Sequence, residues 1–203
     1  MTARMLRRFA PEEVDRLDRS PVDPAALAVA APIVDAVRAG GLDAAVAAGR
    51  RLGDLGDGDP VIHDRAACAA ALDALPEDQQ ALLRRTGARI ESFARAQLCT
   101  LGELSVRLPG GFVGHEVVPV NAAGCYAPGG RFPLPSSVLM TACTARTAGV
   151  REVWVASPRP TPVTLAAAAV ADADGLVALG GAQAVALLAY GGGPVPRCDL
   201  IAG

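Results

Sequence analysis

The chain has 203 residues, of which 51% are hydrophobic, 3% aromatic and 20% charged, with a formal net charge of -2. This excludes wholesale disorder and fits one domain or two small ones, and the near-neutral charge gives no broad electrostatic case for a nucleic-acid or membrane partner. Every basic residue is Arg, so chemistry built on a P-loop, Schiff-base or kinase-type lysine is excluded.

Residues 1–22 read as an N-terminal tail that mixes both charge signs and lacks the apolar run of a signal peptide. Pro11, Glu12 and Glu13 suit the opening of one small helix. Residues 23–120 read as mostly helical. Asp23 caps a helix that starts at Pro24 and closes at Gly40-Gly41, and Pro32 is expected to kink or divide it. A second helix is predicted over 42–52, a third from Asp64, and a long one from Pro76-Glu77 to about Leu98. In the long helix Leu82, Leu83, Thr86, Ile90, Phe93 and Gln97 mark the expected apolar face. A hairpin follows, with 104–108 and 112–120 as its strands around Pro109-Gly110-Gly111.

Residues 121–203 alternate short apolar strands with helices: strand 124–127, helix 136–148, strand 152–156, helix 161–171, strand 176–179, helix 182–190 and strand 198–202. The pattern predicts an α/β fold, with a helical N-terminal region followed by an incomplete Rossmann-like parallel sheet carrying helices on both faces. Right-handed crossovers place the carboxyl ends of these strands on one edge, where ligands of such sheets bind. The longest apolar tract, 163–190, is interrupted by Asp172, Asp174 and several glycines and falls short of a membrane span. Five cysteines, odd in number and never in a C-x-x-C pair, fit reduced core thiols in a cytoplasmic protein.

Two loops on the carboxyl edge are Gly-rich. The first, 127–137, carries Gly129, Gly130 and Arg131, with Ser136 or Ser137 as the cap of the next helix. The second, 179–184, places Gly180 and Gly181 before a helix whose first turn holds Gln183. Alone, either is an ordinary tight turn; together they point to a nucleotide or another phosphate-bearing ligand. Neither is a G-x-G-x-x-G fingerprint. His63 and His115 stand apart, and no nucleophile elbow, paired carboxylates or metal-ligand spacing appears. The residues therefore describe a binding edge without an acid, base, nucleophile or metal site.

The segments GCYAPGGRFPLPSSVLM, ARTAGVREVWVASP, GGAQAVALLAYG and VPRCDLIAG, in that order over residues 124–203, resemble the middle of the histidinol dehydrogenase family. The helical stretch with PIVDAVRAGGLDAA resembles the family's N-terminal part. The resemblance implies NAD-dependent oxidation of L-histidinol to L-histidine, the last step of histidine biosynthesis, with zinc at the substrate site and a homodimer as the complete enzyme. It also implies that Tyr126 and Gln183 contact NAD. The family's G-P-G-N turn, its zinc ligands and its Glu-His pair would follow Gly203, so the chain is expected to be an N-terminal portion, inactive by itself. A dehydrogenase of another small polar alcohol, or a non-catalytic nucleotide- or partner-binding module, remains the alternative.

Overall fold

The computed structural model describes residues 10–14, 22–129 and 132–203. Most of the expected tail, together with Gly130 and Arg131, lies outside the described residues. The short helix α1 (Pro11–Val14) has the Glu13 carboxylate accepting from the Ala10 N–H at 2.8 Å. Helix α2 (Pro24–Leu52) opens as its sequence dictates, with the Asp23 carboxylate accepting from the Ala25 N–H at 2.9 Å. Its backbone leaves helical geometry at Gly41 (φ 56°, ψ -137°), not at Pro32. Glycine tolerates that conformation, so the chain turns there and resumes helix to Leu52. The boundary expected at Gly40-Gly41 falls on this turn, and the backbone at Pro32 stays helical. Among the described residues this helix, and not 163–190, is long and apolar enough by composition to cross a membrane. The break at Gly41 leaves neither half with the roughly 20 apolar residues a span requires.

Strand β1 (Ile62–Asp64) was not expected from the sequence; Asp64, at its end, caps helix α3 (Arg65–Asp73) by accepting from the Ala67 N–H at 2.8 Å. Helix α4 (Glu77–Leu98) has the expected length but a different rotation. Leu83, Gly87, Ile90 and Ala94 face the core, whereas Leu82 and Phe93 are exposed, Phe93 at 66%. Size misdirects the sequence reading here, because a Cβ at Gly87 would sit 3.0 Å from Val170 and the contact tolerates only small residues. The hairpin is β2 (Leu104–Leu108) with β3 (Gly111–His115), and its second strand stops at His115 instead of continuing to Val120.

Strands β4 (Ala122–Tyr126), β5 (Glu152–Ala156), β6 (Gly175–Val177) and β7 (Leu200–Ala202) run parallel, joined by helices α5 (Pro135–Thr147), α6 (Pro162–Val170) and α7 (Gly181–Tyr190). The sheet order is β1-β6-β5-β4-β7, with β1 antiparallel to β6 at one edge. The three-residue β1 has no alternating run of its own and is specified by its pairing with β6, far along the chain. One face of the sheet is covered by α3 to α6 around Cys68, Leu139, Val155 and Leu176; the other by α2 and α7 around Val37, Leu179 and Leu187. The order reverses between β4 and β7, and a doubly wound sheet opens its ligand crevice at such a reversal, beyond the carboxyl ends.

At the opposite, amino edge, carboxylates satisfy the first strand N–H groups. Asp199 Oδ2 accepts from the Asn121 and Ala122 N–H groups at 2.9 and 3.1 Å. Asp174 Oδ2 accepts from the Val153 N–H at 2.7 Å and from Arg146 Nη2 at 2.6 Å, while Oδ1 accepts from Arg65 Nη2 at 2.8 Å. Burial raises the Asp174 pKa, but the Val153 N–H, Arg65 and Arg146 together outweigh it and leave the carboxyl below its ordinary value. A lowered folded value means stability that is present above the unfolded value and is lost as pH falls through the folded one. Asp174→Asn is therefore expected to cost about 2 kcal/mol at neutral pH, a typical value for hydrogen bonds to a charged group. Chemical denaturation across pH checks this: the gap to the parent should close below about pH 4, and a gap constant down to about pH 3 would refute the ionic account.

Candidate functional site at the carboxyl edge of the sheet

Tyr126, Ala156 and Val177 lie side by side in register at the ends of β4, β5 and β6, with Ala202 of β7 beside Cys125. The loops after β4, β5 and β6 therefore leave the sheet at one level, as the crossovers require. All three meet at Pro158. A Cβ at Gly129 would lie 2.3 Å from Pro158 Cγ, and one at Gly180 would lie 2.8 Å from Pro158 Cβ and Cγ. Gly129 and Gly180, one from each Gly-rich loop, thus make room for a proline ring, where the sequence reading had the glycines admitting a ligand. A cleft of about 260 Å³ opens beside this contact, lined by Pro128, Gly129, Phe132, Ser157, Arg159 and Thr164 among others.

Helix α5 begins differently from expectation. Its cap position is Leu134, which offers no side-chain hydrogen bond, and Pro135 takes the first helical position. Ser136 and Ser137 therefore lie inside the first turn, and neither is the cap. Proline at that position fixes φ and has no N–H to satisfy, which makes a side-chain cap less necessary.

The two residues singled out by motif, Tyr126 and Gln183, are brought to the same turn. The Tyr126 hydroxyl accepts from the Gly181 N–H at 3.0 Å, tying the end of β4 to the start of α7. Gln183 sits in the first turn of α7 and is 2% exposed, against the ordinary solvated or capping role of such a residue. Its Nε2 donates to Asp54 Oδ2 at 2.7 Å, and the same oxygen accepts from the Gly180 N–H at 2.9 Å. The Gln183 Oε1 atom is buried and has no hydrogen-bond partner among the described residues. Leaving a buried acceptor unmet costs roughly 1–3 kcal/mol, so such an atom calls for an explanation.

Asp54 is the residue that sequence reasoning missed. It is placed by the end of α2, where Gly53 at φ 81° donates to the Arg50 carbonyl and the Asp54 N–H donates to the Gly49 carbonyl at 2.8 Å. This Schellman turn needs the left-handed glycine, and it turns Asp54 back toward the sheet. The Gly-Asp signal at the helix end was readable; its partner 126 positions away was not. A carboxylate beside the N-terminus of α7 also suits the helix dipole. It takes the anion position that the Gly180-Gly181 turn was expected to keep for a phosphate.

The other candidates do not join this site as reactive groups. His63 lies in β1 and not in a helix, and burial lowers its pKa against the opposing pull of Asp64, so it is neutral at pH 7. His115 is held in the hairpin by the Gly102 carbonyl at 3.0 Å. Cys68 and Cys143 are pushed up to about 11 and Cys198 to about 12 by burial, which leaves them protonated and unreactive. Cys99 is exposed at the end of α4, in contrast to the expected core thiol. Among the described residues no three His, Cys, Asp or Glu side chains gather as a metal site, so they do not fit a zinc ion. Arg159, with φ 46° and no ion-pair partner among the described residues, is a cation at this edge that the sequence reading did not single out.

The contact at Pro158 yields a discriminating test. Gly129→Ala and Gly180→Ala should each destabilise the chain by about 1–3 kcal/mol through overpacking. Pro158→Ala removes Cγ, so it should relieve Gly129→Ala, whose clash is with that atom, but not Gly180→Ala, which still meets Cβ. Thermal unfolding of the three single and two double variants reads this out; equal relief of both would refute the stacking.

Comparison with known proteins follows the same lines. The histidinol dehydrogenase family model matches residues 18–203. A histidinol dehydrogenase of Thermus thermophilus is 44% identical over 183 residues, covering 89% of this chain and 43% of that protein. One from Methanosarcina barkeri is 45% identical over 126 residues, 60% of this chain and 29% of that protein. The crystal structure of histidinol dehydrogenase from Elizabethkingia anophelis superposes with a TM-score of 0.78 at 21% identity, covering 96% of this chain and 46% of that one, and shows the shared fold. The chain spans less than half the length of these relatives. On this match, over nearly all of its residues, the chain belongs to the histidinol dehydrogenase family.

Proposed function

We propose that this chain supplies the cofactor edge of an NAD-dependent dehydrogenase that oxidises L-histidinol to L-histidine. The observation that carries the reading is the buried, unpaired Gln183 Oε1 beside Tyr126, at the carboxyl edge of a doubly wound sheet. Bound NAD supplies hydride acceptance at its nicotinamide ring, which is the cofactor's chemistry and not the protein's. What these residues do is bind and orient. Gln183 offers an acceptor. Tyr126 accepts from Gly181 and keeps its own O–H proton to donate. Gly129, Pro158 and Gly180 hold the three loops in fixed relation.

In this reading the acid, the base and the zinc ligands belong to the part of the family's length that these residues do not span, and no step is assigned to them here. The substrate is a small polar molecule, the complete enzyme is a homodimer, and the compartment is the cytoplasm. No feature of the edge favours nucleic acid.

The test is titration of the purified chain with NAD. Saturable binding is expected, and Tyr126→Ala and Gln183→Ala should each weaken it by roughly tenfold, the size of one lost buried hydrogen bond. Absence of a saturable signal into the millimolar range, or binding indifferent to both substitutions, would refute the cofactor edge. Histidinol-dependent NADH formation by this chain alone would refute the assignment of the chemistry to residues outside it.

A further inference from the structure

Gln183 and Asp54 define a polar pair whose orientation is fixed by chemistry. A carboxylate accepts hydrogen bonds and cannot donate them, so the Gln183 amide must turn its NH2 group to Asp54. Its carbonyl Oε1 then points the other way, and there it meets no partner. Both donors, the Gly180 N–H and Gln183 Nε2, converge on the single oxygen Oδ2 of Asp54. The turn around Oε1 has been left open by composition, since a Cβ at Gly181 would sit 3.3 Å from Oε1. The negative charge of Asp54, already at the N-terminus of α7, disfavours a phosphate in the same place.

We infer that Asp54 is a positioning residue that holds the Gln183 carboxamide with Oε1 presented to an uncharged hydrogen-bond donor of the bound ligand, a hydroxyl or a carboxamide N–H, and not to its phosphates. The inference rests on the cofactor reading above and adds to it which part of the dinucleotide meets α7. Oε1 is buried, so the donor reaches it through a local shift at Gly181, while Gly180 stays bonded to Asp54 and packed on Pro158. The exposed hydrogen bond from Gly181 to Tyr126 is the restraint on that shift. The phosphates are then left to the side of the edge where Arg159 lines the cleft with Gly129 and Ser157.

The experiment combines NAD titration with 15N NMR of the Gln183 side-chain amide in the purified 203-residue chain. Asp54→Ala should weaken NAD binding roughly tenfold, and Asp54→Asn, which keeps an oxygen able to accept both donors, should stay within about threefold of the parent. Gln183→Ala should add little on the Asp54→Ala background, because both act through one contact. The amide resonances should be protected from solvent exchange in the parent and in Asp54→Asn, and lose that protection in Asp54→Ala. Titration with ADP-ribose and with nicotinamide mononucleotide separates the two donors. A loss shared by ADP-ribose and nicotinamide mononucleotide assigns a hydroxyl of the ribose they have in common; a loss confined to ligands carrying nicotinamide assigns the carboxamide; either supports the inference, and a loss confined to ligands carrying adenine overturns this choice of donors. Equal damage from Asp54→Asn and Asp54→Ala, or full additivity with Gln183→Ala, overturns it. A parent chain that binds no NAD overturns the cofactor reading instead. The amide signal then judges Asp54 separately: an amide unprotected in the parent, or unchanged in Asp54→Ala, removes its positioning role.

Discussion

The architecture depends on how closely its helices approach the sheet, and small side chains set that distance. Helix α6 buries Ala166, Ala167 and Ala168 completely, and Ala171 and Ala173 follow it into the same core. Gly175 of β6 lies where any Cβ would come 2.7 Å from the Trp154 ring, and Gly124 of β4 stands 3.0 Å from Leu188 by the same measure. A core built this way gains area through many short contacts instead of a few aromatic anchors, consistent with an aromatic share of 3%. It also leaves little slack, because one added methyl group must displace backbone or a ring. The rigidity matters for function, since loops leaving such a sheet inherit the positions of its strand ends.

The two edges of the sheet use carboxylates for opposite ends. At the amino edge Asp174 and Asp199 satisfy strand N–H groups, and Asp174 is further locked by two arginines. Arg146 donates to the carbonyls of Asp172 and Val150 as well as to Asp174, and to the Arg151 carbonyl through a short contact. An ammonium group with three donors could not serve four acceptors along that path, so the guanidinium fork is used in full here. At the carboxyl edge Asp54 stands by itself, bonded to one backbone N–H and one side-chain amide. The carboxylates at the first edge serve the fold; the second retains a buried acceptor, Gln183 Oε1, with no partner among the described residues.

How far the sequence foretells this molecule depends on how local each signal is. Strand β5 falls on the expected residues because EVWVA is a continuous apolar run between a turn and a proline-rich loop. The caps at Asp23 and Asp64 were readable because each bonds two or three residues ahead. Strand β1 was not, since three residues carry no period and their partner lies more than a hundred positions away. Of the expected face of α4, Leu83 and Ile90 reach the core, but Leu82 and Phe93 were misplaced because bulk stood in for burial, whereas the contact with α6 selects Gly87. At the site, the motif resemblance singled out Tyr126 and Gln183 and not Asp54, which only the folded chain brings to them. The two Gly-rich turns were noticed for a sound reason and given an incomplete one: Gly129 and Gly180 accommodate Pro158.

That reassignment changes what kind of binding edge this is. In a fingerprint Rossmann site the glycines bare a helix N-terminus and backbone amides take the pyrophosphate. Here the first two amides of the α7 turn are already spoken for, Gly180 by a carboxylate and Gly181 by a phenol oxygen. An anion brought to α7 would face Asp54 and find these donors engaged. What the turn retains is one uncharged acceptor, Gln183 Oε1, and the proton of the Tyr126 hydroxyl, on either side of Gly181. A donor and an acceptor held close together discriminate an amide or a sugar hydroxyl better than a phosphate, because each demands a complementary partner. On the proposed reading the missing glycine fingerprint agrees with the local chemistry: this helix start would read neutral polar groups, and the charge of a dinucleotide would be met elsewhere on the same edge.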